Sequence, residues 1–271
     1  MLKEEPETRD ETRVREEFMR ASIRHRLRAF AIHLGVTAVV VALAAWLVFA
    51  VWYPFPYREI SGGQELFMLV IGVDLVLGPL MTLLIFNRNK TPRHLAMDLS
   101  FIGLVQLAAL CYGLWSVFVA RPVHLVFEYH RMAVVHAVDV APELLAKAPK
   151  ALQELPVAGP TLLSLRPLAG GAEEFDSTML AFSGVAQAAQ PALWQPYELA
   201  RNDILKAAKP VAELRARVEG KDGIIDAAIA RTGRRPDQLA YLPMLGRGKS
   251  WTVLVDVATA QPVGFLPIAP F

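Results

Sequence analysis

The chain is poor in several things that would point to an activity. It has one cysteine, Cys111, so no disulfide framework can form within one chain. A domain outside the cytoplasm would have to be held by packing alone. Its 28 basic and 26 acidic residues leave a net charge of only +2, which gives no electrostatic reason to expect a nucleic-acid partner. It has no GxSxG turn to raise a serine nucleophile. Three long stretches contain almost no charge at all, and these organise everything else.

Residues 29–53 contain no Asp, Glu, Lys or Arg, residues 66–86 contain one acid, Asp74, and residues 99–120 contain none. The chain is 54% hydrophobic, above the ~45–50% of an ordinary soluble domain, and the excess lies before about residue 120. Each stretch is long enough to cross a ~30 Å hydrocarbon core at ~1.5 Å per residue. Three buried helices of a soluble protein would leave too little polar surface to solvate them. The first stretch is too long for a signal peptide and lies behind a charged leader. It is followed by Trp52-Tyr53-Pro54-Phe55-Pro56-Tyr57 rather than a small-residue cleavage site. It therefore reads as a retained anchor ending in an interfacial aromatic belt.

Basic residues set the direction. Arg20, Arg24, Arg26 and Arg28 precede the first span, and Arg88, Lys90 and Arg93 lie between the second and third. The first inter-span loop has only Arg58. The expected layout is a cytoplasmic leader over residues 1–27, a three-helix transmembrane region over 28–120, and a periplasmic domain over 121–271. The first eighteen residues mix acids and bases and predict a solvated, partly helical or disordered segment. Translation from Met1 or from Met19 fits the sequence equally.

The last ~150 residues suffice for one core. Residues 123–127 and 133–138 read as paired strands around Tyr129-His130-Arg131. Residues 142–155 predict a helix broken at Pro149, residues 197–218 one broken at Pro210, and residues 222–231 a short helix. The alternation of residues 251–257 gives the clearest strand, with a turn at 258–261 and a returning strand at 262–267. A small α+β domain with mostly antiparallel pairing is expected.

Catalytic signals fail on inspection. Arg247-Gly248-Lys249-Ser250 ends like a phosphate-binding loop, but Pro243 stands where that motif needs glycine and a strand pattern follows. A hairpin turn is the simpler expectation. His124, His130 and His136 are evenly spaced, yet the turn at His130 breaks their common face and no acidic or cysteine cluster accompanies them. Cys111 lies in an apolar run, as a packing residue would. Glu173, Glu174 and Asp176 read as a solvated loop. No metal, cofactor or catalytic residue is assigned.

The spans carry sharper signals. Asp74 lies near mid-depth, where a charge costs about 2.5–3.5 kcal/mol on insertion scales, so it should face protein or water. Gln106 lies at similar depth in the third span, and the two could hydrogen-bond. His33 sits at a similar level in the first. Pro79 removes a helical donor and bends its helix. Gly72, Gly78 and Gly103 would permit close helix contacts. Asp98 lies at the cytoplasmic edge, near Arg93 and His94. Asp74, Gly78, Pro79, Asp98 and Gln106 are thus candidates either for fastening the bundle or for docking a partner's transmembrane helix.

Several of these residues carry a family resemblance. Residues 28–34 (RAFAIHL), Trp52-Tyr53-Pro54, residues 72–80 (GVDLVLGPL), Asp98-Leu99-Ser100, Gln106-Leu107-Ala108-Ala109-Leu110 and Tyr112-Gly113 together resemble the TfpX/TfpZ family of type IV pilin accessory proteins. The resemblance resumes at Arg121-Pro122-Val123 and Val126-Phe127, and again at Tyr241-Leu242-Pro243, Val253-Leu254-Val255-Asp256 and residues 263–267. Residues 140–240 match only in general character, and the leader before Met19 departs from the family's short N-terminus. The resemblance implies a multi-pass protein of the bacterial inner membrane that assists or modulates assembly of a type IV pilin, without catalysis. The implied partners are the pilin, the lipid bilayer and other pilus assembly proteins. Three other classes stay open on the residues alone: a membrane-anchored periplasmic sensor or binding protein, a channel or transporter subunit using Asp74, and an outer-domain hydrolase. Oligomeric state is also open.

Overall fold

A computed structural model describes residues 9–85 and 91–271. The chain divides into two compact units, Met1–Trp46 with Leu66–Trp115, and Leu47–Glu65 with Ser116–Phe271.

The first unit is helical. Helix α1 spans Arg9–Trp46 and continues as a π-helical segment, Leu47–Trp52. A short α2, Tyr57–Ile60, follows in the connecting segment. Helix α3 spans Gly63–Ile85 and α4 spans Pro92–Val119. Pro92 opens α4 at the position where a missing N–H costs nothing. Three stretches, Ile23–Trp52, Gly63–Leu84 and Arg93–Val119, are long and apolar enough to cross a membrane. The leader is helical from Arg9, ahead of the expected first span, and residues 1–8 lie outside the described residues. So do Phe86, Arg88 and Lys90. Large apolar side chains here point outward, Leu69 at 72% exposure and Trp46 and Leu104 at 65% among them.

The second unit is built on a mixed sheet. Its strands are β1 (Pro122–Glu128), β2 (Arg131–His136), β3 (Thr161–Leu165), β4 (Trp194–Pro196), β5 (Lys209–Pro210), β6 (Leu239–Leu245), β7 (Ser250–Asp256) and β8 (Pro262–Leu266). Their order is β4-β3-β1-β2-β6-β7-β8, with β5 pairing β6. Most pairs are antiparallel, but β1–β3 and β2–β6 are parallel. Parallel neighbours need crossover connections. The helices that serve them are α5 (Pro142–Leu145), α6 (Gly171–Phe182), α7 (Arg201–Ala207), α8 (Val211–Arg217) and α9 (Asp222–Thr232). The expected breaks are present: α5 stops before Pro149, and Lys209-Pro210 separates α7 from α8 while pairing with β6. One expectation is corrected. Glu173, Glu174 and Asp176 lie in α6, not in a loop, because acids in a first turn favour the helix N-terminus.

The sheet is buried on both faces. Leu125, Phe127, Leu242, Met244, Val253 and Val255 pack in one cluster with Tyr197 and Ile204. The alternate residues face the other side, Val126 with Trp194 and Leu163, and Tyr241 and Leu254 with Leu214, Ile225 and Ile229. Side chains alternate along a strand, so a strand covered on both faces reads as a nearly continuous apolar run. The alternation in residues 251–257 therefore does not mark a wet face. Thr252 is fully buried, and its hydroxyl donates to the Ile268 carbonyl at 2.7 Å.

Residues 47–65 are part of this same unit. Tyr57 and Ile60 sit in the cluster with Leu125 and Val253. Tyr53 is fully buried and donates its hydroxyl to the Val117 carbonyl at 3.0 Å. The aromatic run expected as an interfacial belt is thus largely core, with Phe55 still half exposed. The Gly159 N–H donates to the Val51 carbonyl at 2.7 Å. A Cβ on Gly246 would fall 2.6 Å from the Ile60 carbonyl oxygen, so only glycine lets this hairpin approach so closely.

Candidate functional site

The polar residues of the first unit form one connected seam. Gln106 on α4 donates its Nε2–H to a carbonyl of α3, the main-chain oxygen of Asp74, at 3.1 Å. The pairing expected between the two side chains is therefore made to the backbone instead. Pro79 lacks an N–H, so the carbonyl of Leu75 has no helical donor; the acceptor Gln106 uses is one residue earlier, in the same loosened turn. Gln106 Oε1 lies 2.9 Å from His33 Nε2 on α1. An amide oxygen only accepts, so that ring nitrogen carries the proton. The other, Nδ1, lies 2.5 Å from the Thr82 hydroxyl. Thr82 also lies 3.2 Å from the Gly78 carbonyl. One seam thus ties all three helices.

The glycines divide. A Cβ on Gly78 would run into the Gln106 side chain, and one on Gly113 into Val70. Gly72 and Gly103 would meet nothing within 4 Å, so the close approach expected of them is not made. Gly113 supplies it instead, a residue noted in the sequence only within the Tyr112-Gly113 motif and not as a contact position.

Asp74 is 6% exposed. With His33, Thr37, Gln106 and Gly103 it lines a cavity of about 190 Å³ between the helices. Asp98 is half-buried on α4, two turns before Gln106. Sequence reasoning noted His33 by its depth and within the 28–34 motif, and missed Thr82. The available signal was that polar side chains in an apolar helix seek one another.

The second unit assigns its suggestive residues to structural work. Arg247-Gly248-Lys249 is the turn of the β6–β7 hairpin. Lys249 donates to the Glu59 carbonyl at 2.9 Å and to the Glu65 carboxylate at 2.8 Å, and Arg247 to Asp139 at 2.8 Å. Strand β7 follows directly, where a phosphate-binding loop needs a helix N-terminus. The three histidines part company. His124 packs edge-on against Trp194 and meets Thr161 at 2.8 Å. Burial lowers its pKa from 6.5 to about 4, because a low-dielectric site disfavours the charged ring. His136 bonds Asp139 at 3.1 Å. His130 lies in the β1–β2 turn beside Tyr129, whose φ of 58° is left-handed. Among the described residues no group of three His, Cys, Asp or Glu is placed to hold a metal ion.

Comparison with known proteins adds an independent line. The model of the family described as fimbrial assembly protein FimB matches residues 21–62, which include His33, Tyr57 and Ile60. The fimbrial assembly protein of Dichelobacter nodosus serogroup I is 34% identical over 227 residues, covering 83% of this chain and 88% of the relative. The serogroup E1 protein is 33% identical with the same coverage. The protein of serogroups C1 and C2 is 40% identical over 120 residues, or 44% of this chain and 89% of the relative. No solved structure matches. Two relatives at this identity, matched along most of both chains, bear out the resemblance carried by the apolar motifs: the chain belongs to the fimbrial assembly protein family.

Proposed function

We propose that this chain is a multi-pass accessory protein of the bacterial inner membrane that assists assembly of a type IV pilin, without a catalytic step. The observation that carries the proposal is the combination, in a chain of this family, of helices with apolar outer faces and a folded sheet domain. A pilin awaiting assembly has the same two parts, an apolar helix in lipid and a globular head in water. The helices cross the membrane with the N-terminus cytoplasmic, as the basic residues favour. Residues 28–120 form the membrane region and 121–271 the main part of the periplasmic domain. The shared core of residues 47–65 and 116–271 supports one side for both, since two crossings separate them.

In this reading the bundle packs against the pilin helix and the sheet domain shields or orients the head. Asp74, Gly78, Pro79, Asp98 and Gln106 belong to the helix-facing region. Asp74 lends its backbone to the seam and lines a cavity with its side chain, which suits a polar group on an incoming helix. Gln106 and Gly78 fasten the bundle that presents it. The test is photo-crosslinking from Val40 and Leu107, which line that cavity, in piliated cells. The pilin is the expected adduct. Cells that need this protein for surface pili yet give no pilin adduct from the bundle or the sheet domain would overturn direct contact.

A further inference from the structure

We infer that the open end of strand β2 is a seat for an extended polypeptide segment of the partner, added as a strand. Strand β1 accompanies β2 along its length, from Arg131 opposite Glu128 to His136 opposite Pro122. On the other side β6 accompanies it only at Met132 and Ala133, opposite Met244 and Leu245. Beyond Leu245 the chain leaves at Gly246 into the hairpin turn.

The backbone shows which groups face the space left behind. The Ala137 N–H donates towards β1, to the Arg121 carbonyl at 2.9 Å. The His136 N–H donates instead to the Asp139 carboxylate at 3.2 Å. Successive residues of an antiparallel ladder point to opposite sides. Val134 and His136 therefore direct their backbone groups away from β1, and with the Val134 N–H held by the end of β6 at Leu245 and the His136 N–H by Asp139, it is their two carbonyls that face the side β6 has vacated.

That side opens into a cavity of about 560 Å³, within the ~300–1,000 Å³ of ligand clefts. Its floor is small and apolar, with Val135, Ala188 and Ala189 all buried. Its rim is charged but balanced. Arg131 pairs with Glu128 at 2.7 Å, and Arg247 pairs with Asp139 at 2.8 Å. A compensated rim gives little purchase to a free anion or cation. A peptide brings N–H groups for the two edge carbonyls and an apolar side chain for the floor, which is the chemistry of strand addition. His136 lines the same cavity, and among the described residues its buried Nε2 has no hydrogen-bond partner.

The choice of partner rests on the pilus-assembly reading: the segment is an exposed stretch of the pilin head. The test uses the full chain in piliated cells, with benzoylphenylalanine at Val138, which lines the cavity at 53% exposure. Val257, 40% exposed in the β7–β8 turn, is the control. The expected result is a pilin adduct from Val138 at least tenfold above Val257, mapping to one short stretch of the head. Equal yields from both positions overturn the inference, as does an adduct only with a second copy of this chain. Pilin adducts from the bundle with none from Val138 overturn it while leaving the assembly reading standing. No pilin adduct from either unit overturns both. A second measurement places Ala186→Trp at the cavity rim. A tenfold loss of the Val138 adduct at an unchanged melting temperature supports the seat, and an undiminished adduct from that folded variant overturns it.

Discussion

The two units of this chain place their large and their polar side chains in opposite ways. The sheet unit hides its bulk: Trp194, Tyr197, Tyr241, Leu125 and Leu242 are all under 2% exposed or nearly so. The helical unit turns its bulk outward, and its buried positions include Asp74, Thr82 and Gly78. In water the apolar area removed from solvent holds a fold together. In lipid that term vanishes between helices, and close packing and interhelical hydrogen bonds replace it. The same substitution should therefore have opposite consequences in the two units.

The largest effect is expected at Trp194, which is 1% exposed and donates its indole N–H to the Ala188 carbonyl at 2.8 Å. Trp194→Ala should cost about 3–5 kcal/mol, seen as early proteolysis of the sheet unit in urea. Trp46→Ala, at a residue 65% exposed on α1, should cost under about 0.5 kcal/mol. Equal losses would break the comparison.

Acid should act on the sheet unit next most strongly. The His124 imidazole titrates at about 4 when folded, against an ordinary 6.5. Below about pH 6.5 the unfolded chain takes up the proton first. Stability is then lost as the pH falls, by up to about 3 kcal/mol near pH 4. His124→Gln should flatten melting temperature against pH over that interval. A slope unchanged by the substitution would assign acid sensitivity elsewhere.

Overpacking should damage the helical unit more than trimming does. Gly78→Leu forces a side chain into the space of Gln106 and should cost about 1–3 kcal/mol, read as loss of the folded form in detergent titration. A smaller loss than from overpacking is expected from Gln106→Leu. It removes the bonds to His33 and Asp74, worth about 0.6–1.7 kcal/mol for such pairs in membranes. A loss as large as that of Trp194→Ala would mean the seam, not packing, holds the bundle.

The long helices were legible in the sequence because a long uncharged run must satisfy its backbone internally wherever lipid surrounds it, and in the sheet unit Pro149 and Pro210 marked the breaks of shorter helices correctly. Strands β1, β2, β7 and β8 were legible from β-branched runs and a turn. Strands β3 and β4 were not. Thr161–Leu165 is a short run without flanking repetition, and Trp194–Pro196 is three residues long. Parallel pairing depends on partners far away in the chain, which no local pattern records. Within the seam, Asp74 and Gln106 stood out as polar residues in apolar surroundings. Thr82 did not, because a threonine in an apolar helix ordinarily bonds its own backbone. The place of Tyr57 and Ile60 was hidden for another reason: a segment between two spans gives no sign of what it will pack against.

That placement has a consequence for biosynthesis. Tyr57 and Ile60 leave the ribosome long before the strands that cover them. In a three-span chain two more crossings must be completed before residues 116–271 reach the same compartment. If the spans cross as proposed, the domain can close only when both crossings have been made in the right direction. A chain inserted with one span missing, or inverted, would strand Leu125 and Val253 on the wrong side of the bilayer from Tyr57 and Ile60. On the proposed three-span reading, completion of this core would report correct insertion of the spans between its two parts.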